Sequence, residues 1–407
     1  MPYPFEFQLL AEDWDHFSML MDNAAARIPA LAHTGIKKFY NGPESFTPDN
    51  QFILGEAPEC RNFFVGAAST RSASPRLGGA GRALAEWILT GDPGLDMTAN
   101  DIRRFARFNG NNRWLHDRVG EVLGLHYAIP WPNRELATAR PFRRSPVHHL
   151  LARGRTPVSA AGWAGSGRTS SPRRARRRSS STPGARRTGC PGWPPSSAPP
   201  APAVAVFDQT SFSKYLLTGP GSEQALQWLC TADVAVPPGR TVYTGMLNER
   251  GTYESDLTVT RLSADEFLLV SSAATTERDQ GPHCQTDSPG AHASLVDVTS
   301  AYAVFGVMGP GSRDLLGVAV GRATSSDDGF PFGTSREIDL GYYTVRATRI
   351  TYVGELGWEL YVPAEFAVGV YQDLDGRGCR VRPGQRLATT PSSRCGWRRA
   401  TGPSGGS

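Results

Sequence analysis

The sequence predicts an α+β multidomain protein, and three observations carry that prediction. A chain of 407 residues is long enough for two or three domains with cores of their own. From Val204 to about residue 375, apolar runs of strand character alternate with shorter helical patterns. Two stretches, 153–203 and 376–407, follow neither pattern and bracket that region.

Residues 1–33 alternate helical turns with aromatic residues, and NFFVGA at 62–67 reads as a short buried strand. Gly78, Gly79 and Gly81 precede a helix predicted from Arg82 to Leu89, with Leu84, Trp87 and Ile88 on its apolar face. Glycines before a helix N-terminus suit anion or cofactor contact, because the free amides point outward there. Tight packing explains the same glycines equally well. In residues 100–150, Ile102, Phe105 and Phe108, then Val119, Val122 and Leu123, have helical spacing. His126, His148 and His149 have no carboxylate at ligand spacing and read as structural, so no metal site is expected.

AVFDQTSFSKYLLTG at 205–219 leads into a helix over Ser222–Cys230, and a strand is expected over Glu266–Ser271. DVTSAYAVFGVMGPGSRDLL at 297–316 is a strand entering a helix after Gly309-Pro-Gly, and a strand pair around 337–363 follows. Two stretches carry the chemistry: GMLNERGTYESDLTV at 245–259 and ITYVGELGWELYVP at 350–363. Each puts a carboxylate at a glycine-bounded bend beside an alternating strand, where the backbone can approach a ligand closely. Asp256 follows the turn at Gly251, Glu355 lies between Gly354 and Gly357, and Tyr243 and Tyr352 flank them. A pair of hairpins with solvated acids is the plainer reading; the two motifs together favour a site. Asp208 and Lys214 read as scaffold, and Glu254 is left out of the site.

The net charge of +5 comes from the two unpatterned stretches. They hold ten and seven arginines and no acid; with those set aside, 26 basic residues stand against 38 acidic ones, a net −12. The patterned sequence offers no basic face to a nucleic acid. No apolar run approaches a membrane span, and the six cysteines are scattered, so a cytoplasmic chain without nucleic-acid or membrane partners is expected. The Arg-, Pro-, Ser- and Gly-rich stretches cannot bury enough surface to offset the entropy of ordering, and read as disordered. With 3 Lys against 40 Arg, the composition suggests a GC-rich gene. Both stretches, with Ala68–Leu77 and Gln280–Ser288, are compatible with out-of-frame translation of amphipathic sequence.

On these residues the chain resembles the FAD-dependent sarcosine and dimethylglycine dehydrogenases that carry a C-terminal folate-binding, aminomethyltransferase-like domain. NGPESFTPD at 41–49 and GGAGRALAEWI at 78–88 resemble the end of their flavin domain, placed at 1–95. Residues 96–152 resemble their middle domain, and 204–375 the folate domain, which is similar to the glycine cleavage T-protein. The resemblance implies oxidative demethylation of an N-methyl amino acid, with hydride passing to FAD and the one-carbon unit to tetrahydrofolate. It implies Asp256 as the catalytic acid, Tyr243, Asp256, Tyr352 and Glu355 as folate-binding residues, and Gly66, Gly78 and Gly79 beside the flavin. Glu355 would answer the pterin's donors with two parallel hydrogen bonds. A GxGxxG unit is lacking, so a fragment inactive alone is expected. A folate-dependent aminomethyltransferase and a non-catalytic regulatory relative are the alternatives.

Overall fold

The fold is that of a computed structural model, which describes residues 8–67, 77–129, 131, 134–140, 142–153, 158–162, 165–170, 204–248, 250–279, 292–320 and 326–376. Most of the two unpatterned stretches, and the patches at 68–76 and 280–291, lie outside the described residues. The chain forms two compact units, residues 1–102 with 110–130, and residues 103–109 with 131–407.

In the first unit, α1 (Trp14–Arg27) starts at Asp13, whose carboxylate accepts from the His16 amide at 2.9 Å. Strands β1 (Ile53–Glu56) and β2 (Phe64–Ala67) pair antiparallel, and α2 (Leu77–Thr90) packs on this ribbon with Ala83 and Trp87 buried. Gly55 makes that packing possible. Its φ of +119° suits glycine, and a Cβ there would lie 2.8 Å from the Trp87 ring. A Cβ on Gly66 would lie 3.3 Å from Leu84, so its smallness also serves the packing. Helix α2 begins five residues before the predicted start, with Gly78, Gly79 and Gly81 inside its first turns. Each interior glycine costs about 1 kcal/mol of helix propensity, and burial of the Ala83–Trp87 face overrides that preference. Helix α3 (Asn112–Gly124) is capped by Asn111, whose side chain accepts from the Trp114 amide at 3.0 Å. The helical spacing at 102–108 resolves into two 3-10 turns, Ile102–Arg104 and Arg107–Gly110.

The second unit opens with α4 (His148–Arg153) and a two-stranded ribbon, β3 (Val158–Gly162) against β4 (Gly165–Ser170). The ribbon lies inside the stretch expected to be disordered, most of the rest of which is outside the described residues; its ladder needs only backbone groups and no apolar periodicity. After it the same pattern occurs twice. First come β5 (Ala205–Asp208), β6 (Ser213–Thr218), α5 (Ser222–Leu229) and the meander β7 (Thr241–Leu247), β8 (Tyr253–Arg261), β9 (Glu266–Ser271). After the short helix α6 (Thr276–Asp279) come β10 (Ser294–Asp297), β11 (Tyr302–Met308), α7 (Ser312–Val320) and the meander β12 (Ser335–Leu340), β13 (Tyr343–Thr348), β14 (Gly357–Pro363). Helix α8 (Ala367–Gly376) follows.

The sequence carries the duplication. Asp208-Gln-Thr-Ser matches Asp297-Val-Thr-Ser, and Gly219-Pro-Gly-Ser matches Gly309-Pro-Gly-Ser. Both first glycines have left-handed backbones, φ +123° and +126°, and accept from the Ser222 and Ser312 amides at 3.0 Å to start the helix. The two halves exchange their first strands. Strand β10 pairs with β6 in the sheet β10-β6-β9-β8-β7, and β5 pairs with β11 in the sheet β12-β13-β14-β11-β5. The exchange is pinned reciprocally: Thr299 Oγ1 accepts from the Lys214 amide at 3.0 Å, and Thr210 Oγ1 from the Val304 amide at 3.2 Å.

One face of the second sheet packs Phe305, Trp358, Leu360 and Val362 against Leu316, Val370 and Leu374 of α7 and α8. One face of the first sheet packs Leu257, Val259 and Phe267 against Leu226 of α5. The remaining faces meet at Leu268, Val270, Val304 and Tyr361. Helices therefore cover the outside of a two-sheet sandwich, and alternation along each strand decides which side chains enter the gap between sheets. Replacing Gly55 with alanine, which meets both a left-handed backbone and the Trp87 ring, should destabilise the first unit by more than about 1 kcal/mol, read as a lowered urea midpoint.

Candidate functional site

Strand β14 has an apolar pattern broken at one position. Trp358, Leu360 and Val362 point to the helical layer, so Glu359 and Tyr361 point into the gap between the sheets. Glu359 is 1% exposed. Its Oε2 accepts from the Tyr361 hydroxyl at 2.7 Å, whereas its Oε1 is buried without a partner among the described residues. Burial raises the carboxyl pKa from 4.5 to about 7, and the Tyr361 hydrogen bond lowers it only in part. Burial, then the adjacent Glu359 charge, pushes the Tyr361 hydroxyl well above 10.

The facing strands supply the second acid. Asp256 lies in the middle of β8, opposite Gly245 of β7, rather than at the start of its strand. It shares a sheet face with Tyr243, whose hydroxyl donates to Asp256 Oδ2 at 2.8 Å. Burial and then the Asp256 hydrogen bond push the Tyr243 pKa up to about 12, so it remains a donor at any physiological pH. Tyr243 therefore holds the acid in addition to standing beside it. Asn248 organises the connecting bend, accepting from the Arg250 and Thr252 amides at 3.0 and 3.1 Å and donating to Glu254 at 2.9 Å. Glu254 is engaged there and by Arg278.

Tyr352 joins the two carboxylates. It precedes β14, stacks on Phe212 at 6.2 Å between ring centroids, and leaves 57% of its surface open. Its hydroxyl is crowded: desolvation raises its pKa, followed by the fields of Glu359, Asp256 and Tyr243. The structure thus brings together Tyr243, Asp256 and Tyr352 from the sequence reading, and adds Glu359. Glu355 is not part of the group. It sits on the exposed bend after Gly354, and its carboxylate takes no partner among the described residues. The missed signal was a charged residue inside a strand whose neighbours are all apolar.

Lys214, read as scaffold, is fully buried and donates to the carbonyls of Thr210 and Tyr302 at 3.0 and 2.9 Å. Desolvation lowers its pKa to about 8. In the other unit, Gly66 packs on Leu84, while Cβ atoms at Gly78 and Gly79 would meet nothing within 4 Å among the described residues. Packing against the described residues does not account for those two glycines.

Residues 201–385 match the GCVT N-terminal domain, and residues 90–145 the FAD dependent oxidoreductase central domain. The 4-methylaminobutanoate oxidase (formaldehyde-forming) of Paenarthrobacter nicotinovorans is 35% identical, over 92% of this chain and 46% of that protein. Mitochondrial sarcosine dehydrogenase of Mus musculus is 34% identical over 97% of this chain and 47% of its own length. The mitochondrial pyruvate dehydrogenase phosphatase regulatory subunit of Mus musculus is 33% identical, over 91% and 42%. Over most of its length the chain is thus similar to sarcosine dehydrogenase and its relatives, with dimethylglycine dehydrogenase of Rattus norvegicus at 28% identity, and it spans about half the length of the curated relatives it matches.

A buried acid with a raised pKa has a defined stability cost. Between pH 4.5 and about 7 the folded protein holds a proton on Glu359 that the unfolded chain releases, so stability falls as pH rises through this window. The shift corresponds to about 3 kcal/mol. Glu359→Gln should therefore melt at a higher temperature than the parent above pH 7, with the difference vanishing near pH 4.5, measured by calorimetric melting across pH.

Proposed function

We propose that residues 204–376 bind a reduced folate between the two sheets and serve the one-carbon half of an oxidative demethylation of an N-methyl amino acid. The observation that carries this reading is the orphaned Oε1 of Glu359, a buried acceptor on a rigid strand beside Tyr352. A pterin presents a ring N–H and an amino group side by side, and a carboxylate matches that pair with charge-assisted hydrogen bonds. The residues present therefore fit the group. Glu359 takes the position the sequence reading gave to Glu355, with Tyr352 as the wall. Tetrahydrofolate would supply the nitrogen nucleophile that accepts the one-carbon unit.

Asp256 is the residue placed to act on the reacting end. Tyr243 fixes Oδ2, leaving Oδ1 to orient a nucleophile, move a proton or stabilise developing positive charge. The ring of Tyr352 would exclude water from the Glu359 carboxylate, which strengthens its hydrogen bonds. In the first unit, the bare first turn of α2 at Gly78 and Gly79 fits close approach of FAD, which would accept the hydride. Gly66 acts there through packing. Support for the amine substrate comes from the names of the relatives. The scattered cysteines support a cytoplasmic place, and among the described residues no helix is long and apolar enough to cross a membrane.

The test is calorimetric titration with 5-formyltetrahydrofolate. Glu359→Gln should weaken binding by about ten- to a hundredfold, the worth of a charge-assisted pair. Glu355→Gln should leave affinity unchanged. Asp256→Asn should retain binding within about threefold while abolishing one-carbon transfer in the holoenzyme. Undiminished binding by Glu359→Gln would contradict the assignment.

A further inference from the structure

The duplicated fold places corresponding residues at two positions between the sheets, and their chemistry differs. Leu216 and Gly306 each stand three residues before the glycine that ends their strand. Leu216 pairs with Leu268, and Gly306 pairs with Glu359. Residue x of the Asp-x-Thr-Ser motif is Val298 in one half and Gln209 in the other. One position is therefore built from Val298, Leu216 and Leu268, which line a cavity of about 260 Å³. Its counterpart is built from Gln209, Gly306 and Glu359. The fold is satisfied by an apolar trio at this place, so the polar trio needs a reason beyond folding.

Gln209 is 4% exposed, and its backbone is fixed by donation to the Val304 carbonyl at 2.8 Å and acceptance from the Phe212 amide at 3.2 Å. Its side-chain Oε1 is buried without a partner among the described residues. That oxygen lies over Gly306, so close that any Cβ there would displace it. Since Gly306 is the cross-strand neighbour of Glu359, two orphaned acceptors stand on one sheet face about one strand spacing apart. A buried acceptor left empty costs about 1–3 kcal/mol, and two together mark a surface awaiting donors.

We propose that Gln209 is a specificity-determining residue of the pocket, its side-chain carbonyl accepting from the ring N8–H that a reduced pterin carries. This rests on the folate reading above. Glu359 accepts from N3–H and the 2-amino group. Past the second amino hydrogen and the N1 acceptor, the ring donor on that edge of a tetrahydropterin is N8–H, the one donor there that the oxidised ring lacks. In fully oxidised folic acid N8 is itself an acceptor, and two acceptors face each other. Gln209 thus favours the reduced cofactor over its oxidised form, and Gly306 is the residue that gives it room.

The test compares 5-formyltetrahydrofolate with folic acid in calorimetric titrations of the full chain. Gln209→Met, close in volume and without the amide, should weaken the reduced ligand about tenfold, leave folic acid unchanged or tighter, and raise the melting temperature of the ligand-free protein. Gly306→Ala should reduce the preference in the same way by moving the amide. Equal weakening of both ligands, an unchanged preference, or a lower melting temperature for Gln209→Met would overturn the assignment while leaving the folate reading intact. A parent chain that binds neither ligand would overturn both.

Discussion

The site depends on one unfavourable act: placing the carboxylate of Glu359 in the dry gap between two sheets with a single hydrogen bond to hold it. A buried carboxyl normally recruits donors for both oxygens or is replaced by an apolar side chain. Here Tyr361, two residues along the same strand, satisfies Oε2, and nothing among the described residues satisfies Oε1. The resulting pKa of about 7 leaves the group undecided between its two forms at neutral pH. Under the folate proposal, a ligand bearing two donors would resolve that indecision in favour of the carboxylate, coupling binding to ionisation. On that proposal stability is given up at a place where recognition would be gained, which is common at functional sites.

The duplicated architecture makes such a placement tolerable. Exchange of the first strands locks the two sheets against each other through reciprocal threonine contacts and through Lys214, whose ammonium bridges the Thr210 and Tyr302 carbonyls. The gap is therefore lined by strands, which hold side chains more rigidly than loops do. Each half contributes differently. The first meander gives Asp256 and Tyr243, the second gives Glu359 and Tyr361, and the connecting bends give Gln209 and Tyr352. Neither half would contain the proposed site alone.

The strands and the helix starts of the folate-type region were legible in the sequence because β-branched alternation and the Gly-Pro-Gly turns leave local signatures. The proximity of Asp256, Tyr243 and Tyr352 was suggested by the glycine bends beside them, and the structure groups these three side chains. Glu359 was not, because glycines drew the reading to the bend at Glu355, while burial is decided by which sheet face a residue occupies. That face follows from the register of β11 on β14, a long-range property no local window contains. Gln209 was hidden for a related reason: its partner position, Gly306, lies 97 residues away in sequence. Glycines before α2 misled in the opposite direction, since tertiary burial of Trp87 extended the helix through residues that disfavour one.

The central claim, that Glu359 is the carboxylate awaiting a two-donor ligand, is tested most directly by carbon-13 NMR of the glutamate side-chain carboxyls. The Glu359 resonance, assigned by its loss in Glu359→Gln, should titrate near pH 7 in the free protein. With saturating 5-formyltetrahydrofolate it should stay ionised well below that pH. A Glu359 resonance that titrates near 4.5, or one that the ligand leaves unmoved, would contradict the claim.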